Sequence, residues 1–262
     1  MPHQAEGKVC EVKTGKLPKK VDPRTLQFRT YAATTLIPPA QAHNGGEVKN
    51  AGMLGNDELG DCAEAAAGHA EECWHDRDSG GQLELTEAQA VAMYSAVTGY
   101  VQGDSSTDQG TVLLDLLNSW RKTSYYVSAI DAFVEVSATD TTEHQLAIAF
   151  FGVSYVGLEL PDSVLPTASG IVPFTVDPTT GGANAPNPNN GHCIILTGYD
   201  AAKDMFWGLT WGVIIPVSGA FVRGCCDEAY AILSPQWTAK AGRSPSGFNT
   251  DQLFADLSLI TA

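Results

Sequence analysis

The chain is 262 residues long, 44% apolar and 17% charged, enough to bury a large core in one two-lobed domain or two small ones, and too apolar for disorder throughout. Its 15 Lys and Arg against 30 Asp and Glu give a formal net charge of −15. That balance argues against a nucleic-acid partner or an anionic membrane surface, since both need clustered positive charge. No stretch reaches the roughly 20 apolar residues of a membrane span, and "MPHQAEGKVCEVKTGKLPKK" lacks the apolar run of about seven residues that a secretory signal needs.

Residues 1 to about 50 read as loop, with Pro18, Pro23, Pro38, Pro39 and the Gly-rich "HNGGE", and are expected to wrap over a core built later in the chain. From Asp61 the signal turns helical. Asp61 is placed to cap, and "CAEAAAGHAEECW" is rich in the helix formers Ala and Glu, so Cys62 falls in the first helical turn. Glu64, Glu71 and Glu72 read as a solvated face of that helix. A second helix follows in "LTEAQAVAMYSAV", with Thr86 and the Gln after it as its cap. A third lies in "TVLLDLLNSWRK", where Val112, Leu113, Leu116, Leu117 and Trp120 keep the spacing of one buried face.

After Tyr125 the pattern changes. "AIDAFVEVS" alternates as a strand, "TTEHQLAIAFFG" is a short helix, and "VSYVGLEL" alternates again until Pro161. Asp177 to Gly191 is dominated by Gly, Pro and Asn and reads as a surface loop ending beside His192. "HCIILTGYD" and "MFWGLTWGVII" read as two buried strands joined by a turn at "DAAKD", with a further short element in "DEAYAIL". A helical part, about 51–125, is thus followed by a strand-rich part, about 126–262.

The chemistry centres on Cys62. A thiol at a helix N-terminus feels unpaired N–H groups and the positive dipole end, which favour thiolate; against this, a buried free Cys is commonly a packing residue. A base is needed. His69, seven residues on, is about 10.5 Å along the helix axis and out of reach. His192 opens an apolar strand directly after a polar loop, where a strand end can face a cleft. Of the other cysteines, Cys10, Cys73, Cys193, Cys225 and Cys226 form no CxxC pair, and nothing in the sequence joins His69 and Cys73 to Cys225 and Cys226 as a zinc site.

Taken in order, "LPKKVDPR", "EVKN", "LGDC" leading into a helix, "LAIAFFGVSYVGLEL", "GHCIILTGYD" and "FWGLTWG" resemble the papain-like cysteine peptidases over about Leu17 to Gly212. The resemblance implies an α+β fold, residues 1–262 forming one two-lobed domain with a helical lobe, a central Cys-bearing helix and an antiparallel β lobe. Residues from about 17 onward would pack on that domain and would not be a removable inhibitor. Cys62 takes the nucleophile's place and His192 that of its base, the two facing each other across a cleft. The family's oxyanion Gln corresponds to Asn56, with Asn50 a weaker competitor and a plain turn role for Asn56 the alternative. The family's His-orienting Asn is replaced by Leu209, so Thr210 is expected to do that work, and Leu59 stands where a disulfide Cys is often found. Asp61 would raise the thiol pKa if it faced the sulfur, and is read instead as solvated or capping.

The function implied is a thiol-dependent hydrolase, a cysteine peptidase acting on a peptide or protein substrate through an acyl-enzyme, with no cofactor and no metal. The alternatives are a papain-like binding module that does not cleave, and an amidase or transamidase on the same dyad.

Overall fold

The structure is a computed structural model that describes residues 13–45, 48, 51–79, 82–241 and 247–260. Its helices are α1 (Phe28–Tyr31), α2 (Cys62–Ser79), α3 (Glu87–Thr98), α4 (Leu113–Trp120), α5 (Thr141–Phe151), α6 (Gly219–Cys225), α7 (Pro235–Ala241) and α8 (Thr250–Ile260). Its strands are β1 (Gln41–His43), β2 (Ala132–Val136), β3 (Ser154–Glu159), β4 (Gly191–Asp200), β5 (Met205–Thr210), β6 (Val213–Ser218) and β7 (Cys226–Leu233). The strands form one antiparallel sheet in the order β2-β7-β3-β4-β5-β6, and β1 pairs with β4 beyond the end of β3. This is an α+β architecture, as expected; all strands but β1 lie in the second half of the chain, while the helices are shared between the two halves. Among the described residues no helix is long and apolar enough to cross a membrane.

β4 explains the rest of the packing. Its apolar run does not alternate with polar residues because both faces are covered. Ile194 and Leu196 enter a core with Phe28, Ile148 and Phe151, while Cys193 and Ile195 enter a second core beneath α2. α2 meets that second face through Ala63, Ala66, Ala67 and Ala70, one stripe at helical spacing, so the helix axis can lie close to the sheet. Further along the same stripe Trp74 packs on Trp120 of α4, ring centroids 5.9 Å apart, and its indole N–H donates to the Phe151 carbonyl at 2.9 Å. Tyr155 of β3 ties the start of α2 to the sheet by donating its hydroxyl to the Ala63 carbonyl at 2.7 Å.

Two readings are corrected. "MFWGLTWGVII" is two strands, not one: β5 and β6 pair from Met205–Ser218 to Thr210–Val213 around Trp211 and Gly212. Both turn residues have positive φ, 46° and 70°, the pattern of a type I′ hairpin, which needs that sign at both central positions. The glutamates of α2 are not solvated either: Glu64, Glu71 and Glu72 are all buried. Residues 62–74 of α2 are all buried, so these three acids turn to internal partners. Glu64 accepts from the Thr111 hydroxyl at 2.9 Å, Glu71 accepts from the Gln236 amide, and Glu72 pairs with His69 Nδ1 at 2.9 Å. The cap of α3 is as expected, with Gln89 accepting from the Thr86 N–H at 3.0 Å.

Trp74→Phe keeps most of the ring volume but leaves the buried Phe151 carbonyl without its donor. It is expected to lower the free energy of unfolding by about 1–3 kcal/mol, measured by urea titration.

Candidate active site

Cys62 is the first residue of α2, where the backbone N–H groups have no partner within the helix. Its side chain is 1% exposed. Burial pushes the thiol up to about 12; the backbone N–H of Cys193 pulls the other way, Glu64 and Asp61 add to the rise, and the Gly15 N–H opposes it. The sulfur therefore lies between the residue that follows His192 on β4 and the chain at Gly15.

His192 is the second residue of β4 and equally buried. Its Nε2 is 2.7 Å from Thr210 Oγ1, while Nδ1 is buried with no hydrogen-bond partner. Trp211 lies on the imidazole face, centroids 4.2 Å apart and planes at 21°. The positive φ of Trp211 costs on the order of 1 kcal/mol for a bulky residue, and it is the conformation that lays this ring over His192. Burial pushes the imidazole down to about 3, so under this cover thiol and imidazole are both neutral.

Leu209 points away from the histidine, into the core beneath α2. Asn56 is buried, but its Nδ2 donates to the Leu59 carbonyl at 3.0 Å, closing a local turn. One N–H of its amide is engaged in that turn, the role given above as the alternative. Asn50 lies outside the described residues, as does Cys10. Cys62, Cys193, Cys225 and Cys226 are free thiols.

Asp61 is neither solvated nor a side-chain cap. It is fully buried, and neither carboxyl oxygen makes a hydrogen bond. Burial raises its pKa to about 8, with Asp108 and Asp57 adding to the rise. The local reason is steric as well as electrostatic: a Cβ on Gly55, whose φ is +98°, would meet Asp61 Oδ2 at 2.7 Å, so the turn before α2 closes directly over the carboxyl.

One occupant of the site is absent from the sequence reading. Residues 13–17 run between the helical side and β4. The N–H groups of Gly15 and Lys16 both donate to the Gly191 carbonyl, at 3.0 and 2.9 Å, and on the other wall Thr111 N–H donates to Gly15 O at 2.8 Å while Leu17 N–H donates to Thr111 O at 2.9 Å. At the near end the Trp211 indole donates to the Lys13 carbonyl at 3.4 Å. The signal that might have shown this is the set of glycines along its path: a Cβ on Gly110 would meet Gly15 O, and one on Gly191 would meet Lys16 O, each at 2.1 Å.

The Asp61 carboxyl has a pH consequence. Its folded pKa lies above that of an unfolded aspartate, so its contribution to stability is fully present below about pH 4 and is lost as pH rises toward 8. Asp61→Asn is expected to shrink the difference in unfolding free energy between acid and mildly alkaline buffer by a few kcal/mol, order of magnitude, in paired urea titrations.

No family model matches the sequence, and no curated protein does either. Solved structures do match. Xylellain, a cysteine protease from Xylella fastidiosa, superposes with a TM-score of 0.64 at 12% identity, over 88% of this chain and 99% of that one. Digestive procathepsin L 3 of Tenebrio molitor larval midgut gives 0.55 at 11% identity over 86% and 76%. The proform of the ragweed pollen cysteine protease Amb a 11 gives 0.51 at 14% identity over 81% and 71%. The fold of the chain is therefore the one these papain-like cysteine proteases share.

Proposed function

We propose that the chain is a thiol hydrolase of the cysteine peptidase type, with Cys62 as nucleophile, His192 as base and Thr210 as the residue that positions the imidazole. The observation that carries this reading is the state of His192: Nε2 is held by Thr210 Oγ1 at 2.7 Å, and Nδ1 is left unclaimed on the strand whose next residue faces the Cys62 sulfur. In this reading Nε2–H donates to the threonine oxygen, which sets the tautomer and leaves on Nδ1 the lone pair that accepts the thiol proton. The thiolate attacks the amide carbonyl and the C–S bond forms. The imidazolium returns the proton to the leaving amine as the C–N bond breaks, and water, deprotonated by His192, releases the acid and the thiol. The Cys62 backbone N–H at the helix start supports the oxyanion, and Asn56 joins it only if its amide turns from Leu59.

A second reading, a binding module that does not cleave, is favoured by one observation, the burial of both dyad members under residues 13–17. Amidase or transamidase chemistry differs only in the acyl acceptor, which fold does not fix. Alkylation by iodoacetamide at mildly acidic pH separates enzyme from module: selective reaction at Cys62 faster than at a free thiol supports the enzyme, and a rate no faster than a free thiol supports the module.

Two substitutions follow. Cys62→Ala is expected to abolish peptide hydrolysis. Thr210→Val, near-isosteric but without the hydroxyl, is expected to lower kcat by roughly ten- to a hundredfold with KM little changed, because only the activated dyad is affected. Steady-state kinetics on both variants, with circular dichroism to confirm folding, makes the measurement.

A further inference from the structure

With 30 acids to 15 bases, the chain has carboxylates to spare. Every lysine and arginine whose side chain is described forms an ion pair with one of them, except Arg121 and Lys122. These two are consecutive, they follow directly on the last residue of α4, and both line one cavity of about 550 Å³. That volume lies within the roughly 300–1,000 Å³ of small-molecule sites. Cys62, His192 and residues 13–17 take no part in its wall.

Arg121 is the C-cap of α4. Its Nε is buried and has no hydrogen-bond partner, and its guanidinium carbon lies 6.0 Å from the centroid of the Phe133 ring. Burial lowers its pKa, and no acid opposes the shift. Cations often stand at a helix C-terminus, where they meet the last carbonyls. That role is filled with the charged head in water and gives no reason for a buried N–H without an acceptor, which is uncommon in folded proteins. The ring face of Phe133 offsets only part of the lost hydration.

The remaining charges of the cavity cancel. Asp22 accepts from Arg24 Nη2 at 2.6 Å and from Arg24 Nε at 3.0 Å, and no other carboxylate lines the wall. Arg121 and Lys122 are thus left as uncompensated positive charge. Much of the remaining wall is apolar: Leu26, Leu114 of α4, Phe133 of β2, and Leu257 and Ile260 of α8. A guanidinium fork with an unused N–H suits a planar carboxylate, and such charge-assisted bonds are among the strong ones. A bare inorganic anion would satisfy the cations but leave the apolar wall wet.

We propose that this cavity binds a monocarboxylate carried on an apolar body, with Arg121 and Lys122 taking the carboxylate and Leu26, Phe133, Leu257 and Ile260 taking the body. A medium-length acyl chain and the C-terminal residue of an apolar peptide both present that chemistry. The site is independent of the reaction proposed for Cys62.

Calorimetric titration of the intact chain tests it with two acids, octanoate and acetyl-leucyl-leucine, each against its uncharged amide and against acetate, the carboxylate without a body. At least one acid is expected to bind about tenfold or more tightly than its amide and than acetate. The stronger acid identifies the source, acyl chain or peptide end, and either supports the site. Arg121→Gln is expected to bring that acid and its amide to parity, and Lys122→Gln, at an exposed side chain, to weaken the acid several-fold. Thermal melting by circular dichroism checks the fold of both variants, and if Arg121→Gln does not fold, Lys122→Gln decides. A purely capping role for Arg121 would lower the melting temperature of Arg121→Gln while the parent chain shows no preference for acid over amide. That result, failure of both acids to bind at millimolar concentration, or an acid preference unchanged in the folded variants would overturn the proposal.

Discussion

The closeness of α2 to β4 is the constraint on which the site depends. Four alanines at positions 63, 66, 67 and 70 meet the sheet, and no larger side chain from that stretch holds the helix away. The Cys-bearing end of α2 is thereby brought against the first residues of β4, where His192 and Cys193 lie. Tyr155 fixes the same corner from β3. A bulkier residue in the alanine stripe would lift the helix and carry the sulfur away from the strand, since packed interiors transmit such changes. The placement of Cys62 against β4 is thus a property of packing several residues away from it.

The same enclosure changes the charge on the molecule. Because α2 is buried from Cys62 to Trp74, Asp61, Glu64 and Glu71 sit where burial favours their neutral forms, raised to about 8 for Asp61 and about 7 for Glu71 and well above the ordinary value for Glu64. The formal charge of −15 counts each of them as ionised, so it overstates the negative charge the folded chain carries near neutrality. Acids beside the sulfur also make the thiolate harder to form, which sets this helix start against the usual expectation for a thiol at a helix N-terminus.

The sequence was legible where periodicity or local chemistry decides structure. The Thr86 cap, the stripe of α4, the helix from Thr141 and the apolar run of β4 each carry their own signal, and the contact between His192 and Thr210 lies where the replaced orienting residue directed attention. What could not be read was set by tertiary cover. Glu64 and Glu71 look solvated because nothing in the helix itself announces Thr111 and Gln236 as their partners, and Glu72, though His69 stands one turn before it, carries no local sign that the pair is buried. The hairpin at Trp211 was hidden because a bulky aromatic is a poor residue for a left-handed turn, and only the imidazole beneath it gives the conformation a reason. Lys16 sits in a short polar stretch with no period, and its partners at Asp227 and Glu228 are more than two hundred positions away.

Because residues 13–17 belong to the same chain, their hold on the cleft does not weaken on dilution. A tethered segment acts at an effective concentration fixed by the length and stiffness of its connection, in the millimolar range for short flexible links, and here the connection continues directly into Leu17 and its bond to Thr111. A molecule entering from solution competes against that local concentration, whatever the amount of protein present. A ligand bound where residues 13–17 lie would have its apparent affinity lowered by the fraction of time the segment is in place, so whatever altered the segment would alter that affinity.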